Sequence, residues 1–414
     1  MRVQIGTLIV ATSLVQFANG FFTTFLSLRL AVDNFGPILT GLVLSSYFAG
    51  FTLAALRCGP MIARIGHIRA YAASAGLVVA ATAAMPLLVG PWPWLLLRAA
   101  VGVGCAGLFI TTESWLNAKA LPGERGRVFS IYMVGTFLAL AAGQLLIGQI
   151  AIGTAGPFNA IVALFAVALV MVSTTRAEAP RVVVEDTLPY GVLTRAAPAA
   201  VIGCMISGMI SSAFYALLPA WMQGTGISRD VIALFMLVAV LGGFAFQIPV
   251  GRLSDRFDRR IVLAALGIGF AAAAVMLVQV RTLAAALPVA GLLGGFMSTL
   301  YPVCVAHALD RMPADRVVAV SGRMILVSGI GSAVGPLAGT AIMTRFDIDG
   351  LLYFMAAAAV LLALAAAGRS WMRAAPPRQD RPFDILTPQA TPLAHDPAGT
   401  DAAQGVEAAR SAPA

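Results

Sequence analysis

The chain has 414 residues, 59% of them hydrophobic and 11% charged, and its mean hydropathy is +0.89. Ordinary globular domains are about 45–50% apolar and about 25% charged, so a string of soluble domains is excluded and an integral membrane protein is indicated. The net charge of +9 must be located along the chain before it is taken as a sign of nucleic-acid binding.

A spanning helix takes about 20 apolar residues. Six apolar runs open the chain, at 5–31, 40–63, 70–90, 92–116, 127–152 and 158–175. The first lacks a short apolar core with a small-residue cleavage pattern, so it reads as a retained helix rather than a removable signal. A charged segment follows, and six further runs occupy 197–222, 230–253, 261–280, 283–308, 317–343 and 350–368. The remainder is rich in Pro, Ala, Asp and Gln without apolar periodicity, which reads as a disordered tail. The predicted organisation is a six-helix half at 1–175, a cytoplasmic linker at 176–196, a second six-helix half at 197–370 and a cytoplasmic tail at 371–414.

With the N-terminus in the cytoplasm, Arg64, Arg69, Arg125, Arg127, Arg195, Arg252, Arg256, Arg259 and Arg260 fall on the cytoplasmic side or its edge. The other side receives Arg29, Arg229, Arg281 and Arg345, and Arg98 and Arg323 lie within spans. This is a positive-inside distribution, so the excess charge sets orientation and nucleic acid has no place in the account. Both termini are expected to be cytoplasmic, with the chain a multi-pass protein of a bacterial-type inner (plasma) membrane. Cys58, Cys105, Cys204 and Cys304 sit in apolar runs without a C-x-x-C pair, against a disulfide framework or zinc site. The three histidines, His67, His307 and His395, are dispersed, so neither a metal nor a cofactor is expected. G-x-x-x-x-G-K-[ST] is absent from the sequence, which argues against a P-loop ATPase within this chain.

The halves repeat. Gly59-x-x-x-Ala63-Arg64-x-Gly66 follows the second helix, and Gly251-x-x-x-Asp255-Arg256-x-Asp258-Arg259-Arg260 follows the eighth at matching spacing. Glu124-Arg125 and Asp315-Arg316 echo each other before the fifth and eleventh helices, as an internal duplication requires.

At these residues the sequence resembles the major facilitator superfamily, whose loop signature is G-x-x-x-D-R-x-G-R-[RK]. The second copy is the fuller; the first has Ala63 in place of Asp and Ile68 in place of a basic residue. Arg98 followed by Ala99, Ala100, Gly102 and Gly104 is similar to the superfamily's fourth helix. Glu113-Ser114-Trp115-Leu116-Asn117, Gly143-Gln144, Cys204-Met205-Ile206-Ser207-Gly208 and Leu300-Tyr301-Pro302-Val303 are similar to its YcaD-like branch, which brings no substrate with it. The resemblance implies an all-α integral membrane protein of twelve transmembrane helices in two pseudosymmetric six-helix halves. It also implies a midplane cavity lined mainly by helices 1, 4, 7 and 10, alternating access by rocking of the halves, and gating roles for Gly59, Arg64, Gly251, Asp255, Arg256 and Arg259.

Polar residues on those helices are the transport candidates. In the first helix Thr12, Gln16, Asn19, Thr23 and Ser27 recur at helical spacing as one stripe; the other reading is interhelical packing, since such side chains also join spans. In the fourth, Arg98 and Glu113 come about 60° apart around the axis at about 100° per residue. Glu113 is the acidic residue assigned within a span, and a carboxylate there can exchange protons as its surroundings change. Its alternative is a structural bond to Arg125 or Arg127. The seventh helix offers Ser207, Ser211 and Tyr215, and the tenth Ser298, Thr299 and Tyr301. Aligning Gly107 with Gly295 sets Tyr301 opposite Glu113. His307 is either a titrating group or a helix-end cap. Phe21, Phe22, Phe25, Phe244 and Phe246 read as lipid and helix contacts, or in part as walls of an apolar pocket.

These readings lead to a monomeric secondary transporter that carries a small organic solute across the membrane by alternating access, coupled to protons. Export of an amphipathic compound is favoured; uptake of a polar metabolite would suit Gln16, Asn19 and Arg98. The rivals are a polytopic membrane enzyme, which would need convergent catalytic groups, and a transport-inactive sensor on the same fold.

Overall fold

The computed structural model describes residues 2–121, 124–175, 189–280, 282–313 and 316–372. Its regular elements are all helical: α1 (Arg2–Val32), α2 (Pro37–Ile65), α3 (His67–Ala84), α4 (Pro91–Lys119), α5 (Arg125–Gln144), α6 (Gly156–Ser173), α7 (Tyr190–Ala196), α8 (Pro198–Gly224), α9 (Arg229–Arg256), α10 (Arg259–Gln279), α11 (Leu283–Leu309), α12 (Val317–Phe346) and α13 (Gly350–Met372). Helices are what hydrocarbon permits, because every backbone donor and acceptor is satisfied inside the segment. Proline opens α2, α4, α6 and α8, where its missing N–H costs nothing. The Asp258 carboxylate caps α10 by accepting from the Arg260 amide, satisfying one of the orphan donors of a first turn.

Eleven of these helices are long and apolar enough to cross a membrane. The expected twelfth is α3, whose 18 residues are Ala-rich and begin with His67 and Arg69; it packs on α4 and α6 inside the bundle. Its expected end at 90 is too late. Pro86 follows two residues after Ala84, and a proline in the next turn removes an amide donor and clashes with the preceding turn. Trp94 Nε1 donates to the Met85 carbonyl at 2.9 Å and pins the resulting turn. The fifth span also changes character, passing from α5 into a 3-10 turn at Leu145–Gln149. Within the expected linker the short helix α7 precedes α8, and 176–188 lie outside the described residues. The helix α13 runs past the expected boundary at 370 to Met372; the tail from 373 on also lies outside the described residues.

Close helix crossings repeat between the halves. A Cβ on Gly102 would strike the Tyr47 carbonyl of α2, and one on Gly294 would strike the Ala239 carbonyl of α9. Likewise Gly143 of α5 meets the Phe17 carbonyl of α1, and Gly331 of α12 meets the Met205 carbonyl of α8. Glycine at these points lets backbones approach where a side chain would hold them apart. The α2–α4 and α9–α11 crossings, with helix starts at Pro37, Pro91, Arg229 and Leu283, set the register of the duplication. In that register Glu113 corresponds to Val305 and Tyr301 to Phe109, about one helical turn from the Gly107–Gly295 alignment. The expected pairing of Tyr301 with Glu113 by symmetry is therefore corrected.

Candidate functional site

The halves, α1–α6 and α8–α13, meet through α2 with α12, α5 and the 3-10 turn with α9, and α1 with α8. The tightest contacts lie toward the face where α1 ends and α2 begins. There Gly41 fits against Thr340 and Gly148 against the Asp230 carboxylate, while deeper in, the Phe137 and Phe244 rings meet with centroids 5.6 Å apart. Toward the opposite face α4 and α11 make no extended contact among the described residues. The space left between the halves is a chamber closed on the first face.

Its walls come from six helices: Gln16, Asn19 and Thr23 of α1, Tyr47, Phe48, Phe51 and Thr52 of α2, Leu140 and Gln144 of α5, Ser211, Ser212 and Tyr215 of α8, Tyr301 of α11, and Ile325, Ser328 and Ser332 of α12. Hydroxyls here bond first to backbone. Thr23 donates to the Asn19 carbonyl at 2.9 Å, Ser211 to Gly208 at 3.3 Å and Ser212 to Met209 at 3.1 Å. Each hydroxyl keeps oxygen lone pairs after its proton is used, so the wall is acceptor-rich without stranding donors. Tyr47 donates its hydroxyl to Asn19 Oδ1 at 3.3 Å, and Thr24 donates to Gln144 Oε1 at 2.7 Å.

Of the residues singled out in the sequence, Gln16, Asn19, Thr23, Ser211, Tyr215 and Tyr301 line this chamber. The ends of the α1 stripe do not: Thr12 donates to Thr112 Oγ1 of α4 at 3.1 Å, and Ser27 is buried away from it. Ser207 is buried and also absent from the walls. The fourth helix contributes no lining residue, contrary to expectation, because the Gly102 crossing lets α4 seat directly behind Tyr47 of α2. Its place is taken by α2 and α12. Tyr47, Phe51 and Thr52 within an apolar run, and Ser328 and Ser332 one turn apart, carried that signal in the sequence. Phe21, Phe22 and Phe25 face neither lipid nor chamber; they are fully buried, with Phe22 and Phe25 edge-on to Phe158.

Arg98 lies one side chain behind the wall. It is 1% exposed, its Nη2 reaches Thr23 Oγ1 at 3.4 Å, and its guanidinium sits 4.5 Å from the Phe22 ring centre and 4.4 Å from that of Tyr47. A desolvated cation–π contact is worth about 2 kcal/mol, while a buried ion costs several, so the two rings offset much of the burial without supplying a counter-charge. Glu113 is fully buried nearer the other end of α4. Tyr132 of α5 donates to its Oε1 at 3.0 Å. His307 is buried rather than solvated.

The two loop copies differ as their sequences do. In the second, Arg259 Nε meets Asp310 Oδ2 at 2.8 Å and its Nη2 meets Asp255 Oδ1 at 3.5 Å. Arg260 Nη2 meets Asp258 Oδ2 at 2.6 Å. These pairs tie the ends of α9, α10 and α11 within one half. Burial works to raise the Asp258 carboxyl, but the hydrogen bonds and charge of Arg260 outweigh it and hold it below its usual range. Burial holds Asp310 above its usual value even against Arg259. Gly251 is buried in α9, and Arg256 is exposed at its end. In the first copy Gly59 has nothing around it, Arg64 is exposed, and the chain turns at Gly66 with φ 81°.

Two helical halves closing over a chamber of mixed polar and apolar walls inside an apolar bundle define a class, the polytopic membrane transporters. The sequence model of the Major Facilitator Superfamily matches residues 8–193 and 200–399, and the chain belongs to that superfamily. It is 30% identical over 346 residues to the Uncharacterized MFS-type transporter YcaD of Escherichia coli O139:H28 (strain E24377A / ETEC), covering 83% of this chain and 90% of the relative. The protein of the same name from Shigella flexneri gives the same identity and coverage. Among solved structures, the nucleoside transporter NupG aligns with a TM-score of 0.75 at 12% identity over 89% of this chain and 100% of that one. An auto-inhibited POT family peptide transporter aligns at 0.73 and 15% identity, over 92% and 99% of the two chains. At such identities these two share the fold.

Proposed function

We propose that this transporter is a secondary active carrier of a small organic solute, working as a monomer in a bacterial-type inner membrane, with proton movement coupled through Glu113 and export as its net direction. The carrying observation is the chamber itself, closed by Gly41, Gly148 and Phe137 contacts on one face and walled by both hydroxyls and the apolar Phe48, Phe51, Leu140 and Ile325. The arginine distribution supports cytoplasmic termini, which makes the closed face the external one and the observed state inward-open. Alternating access then requires the α2–α12 and α5–α9 seams to part while α4 and α11 come together. Asp255 and Arg256 bias that equilibrium from the edge, and Glu113, bonded to Tyr132, changes its surroundings as the halves move. A carboxylate with different neighbours in two states binds protons differently in each, which links protonation to conformation.

The test is reconstitution into liposomes with an internal pH dye and a panel of radiolabelled amphiphilic solutes. Wild-type protein should accumulate a solute with accompanying proton movement. Glu113→Gln should lose gradient-driven accumulation, by about tenfold or more, and keep passive exchange. Undiminished solute-dependent proton flux in that variant removes Glu113 from the coupling.

A further inference from the structure

Arg98 is a charge whose surroundings do not answer it. Its Nε and Nη1 have no hydrogen-bond partner, and among the described residues no carboxylate pairs with it. Glu113 shares its helix but sits about 22 Å along the axis at about 1.5 Å per residue. The Phe22 and Tyr47 rings cover the faces of the guanidinium, and a ring quadrupole attracts a cation without neutralising it. The edge of the guanidinium is turned to Thr23, which with Asn19 and Tyr47 forms one wall of the chamber. A positive charge held at membrane depth beside a wet cavity raises the local concentration of anions there.

We infer that the chamber takes an organic monoanion, the Thr23 and Tyr47 hydroxyls turning their protons from Asn19 to its carboxylate while Arg98 balances its charge from behind that wall. This rests on the transporter reading and names its substrate class. A single guanidinium balances a single negative charge and leaves a dianion in excess. Phe48 and Phe51, next to Tyr47 on α2, and Ile325 of α12 suit an apolar body, which separates an organic acid from an inorganic ion. Loading would then complete the electrostatics of the N-terminal half at the moment the halves close on the solute. Arg98 acts here through Thr23 and Tyr47, as a specificity residue for charge.

The experiment is thermal unfolding of the purified full-length protein in detergent at constant ionic strength. The probes are the sodium salts of butyrate, benzoate and 3-phenylpropionate, each beside its amide and the matching amine, with sodium chloride as the inorganic arm. The acids with apolar bodies should raise Tm in a saturable way, with the amides weaker by about tenfold and the amines and chloride without effect. Arg98→Gln should lose the preference for acid over amide, and Arg98→Lys should keep it with weaker binding. Should Arg98→Gln fail to fold, Thr23→Val, which leaves the charge in place, should weaken acids and amides alike. Equal stabilisation by acid and amide, a chloride effect as large as that of the acids, no response to any acid, or an acid preference retained in Arg98→Gln each overturns the assignment. Counterflow in liposomes separates the two layers of the reading. Acids that stabilise without exchanging leave the anion site standing and defeat transport, whereas amides that exchange while acids do not defeat the anion site alone.

Discussion

In the N-terminal half α4 carries Arg98 and Glu113 into the bundle, one between two aromatic rings and the other against the Tyr132 hydroxyl. The corresponding helix of the C-terminal half, α11, has the buried Ala290 and Val305 in those places. Its half has ionic pairs at the loop after α9, Arg259 with Asp310 and Arg260 with Asp258, where the matching loop of the first half has the exposed Arg64 and no matching carboxylate; the first half has its own helix-end pair, Arg29 with Asp33, at the end of α1. One fold thus tolerates two electrostatic plans. Charges at the edge find opposite charges from neighbouring loops and act on architecture. At depth Arg98 lies between two rings beside the Thr23 hydroxyl and Glu113 accepts from Tyr132, and in the proposed mechanism these are the charges that answer to a solute and a proton.

The comparison presumes that the halves share their packing, and the largest expected effect tests this. Gly102→Val and Gly294→Val each drive a side chain into a backbone carbonyl of the partner helix, so each should cost on the order of 3 kcal/mol or more. Unfolding in detergent should show similar losses in the two variants. A loss confined to one half would break the duplicated register on which Ala290 and Val305 are paired with Arg98 and Glu113.

Next in size is the contrast between paired and unpaired arginines. Arg259→Met strands the Asp310 carboxylate, whose side chain is 8% exposed, and should cost about 3 kcal/mol, since breaking a buried pair leaves an uncompensated charge. Arg98→Met strands no partner and relieves a desolvated charge, so its cost should stay within about 1 kcal/mol after the lost ring contacts are counted. Thermal denaturation of both variants checks the difference. Equal destabilisation would mean that Arg98 is held by the fold as firmly as Arg259.

The smallest effect sharpens the edge plan. Asp258→Asn keeps an oxygen that can accept the Arg260 amide but removes the ion pair, and should cost about 1 kcal/mol or less at neutral pH. The folded-state pKa of Asp258 is lowered, so its contribution is present above the ordinary carboxylate pKa of about 4 and lost as pH falls through the folded value. The gap between wild type and variant should therefore shrink on acidification below about pH 4. A gap that widens instead would contradict the assigned ion pair.

Most helices were readable because apolar run length tracks bilayer thickness; α11, expected at 283–308, is Leu283–Leu309. The end of α3 was misplaced because Pro86 and Pro93 flank an apolar stretch that hydropathy cannot divide. The middle of the α1 stripe was also readable: of its five residues Gln16, Asn19 and Thr23 reach the chamber, while Thr12 bonds to Thr112 and Ser27 is buried away from it. Helical periodicity identifies a shared face, and which stretch of that face meets a partner depends on crossing angle. Tyr47, Ser328 and Ser332 lie outside the helices that the resemblance makes the main lining, and the helix crossings bring α2 and α12 to the wall.

The sequence by itself determined that the chain lives in a bilayer, how it divides into spans and two repeats, and which superfamily it belongs to. Those follow from local properties, namely apolar length, turn residues and a repeated loop motif. Tertiary structure alone decided that α4 stands behind the chamber wall, that Glu113 meets Tyr132, and that Arg98 has rings but, among the described residues, no carboxylate beside it. The reason is that glycine crossings such as Gly102 on Tyr47 set how far each helix slides and turns against its neighbour. That rotation is a property of two helices at once, and no single stretch of sequence carries it.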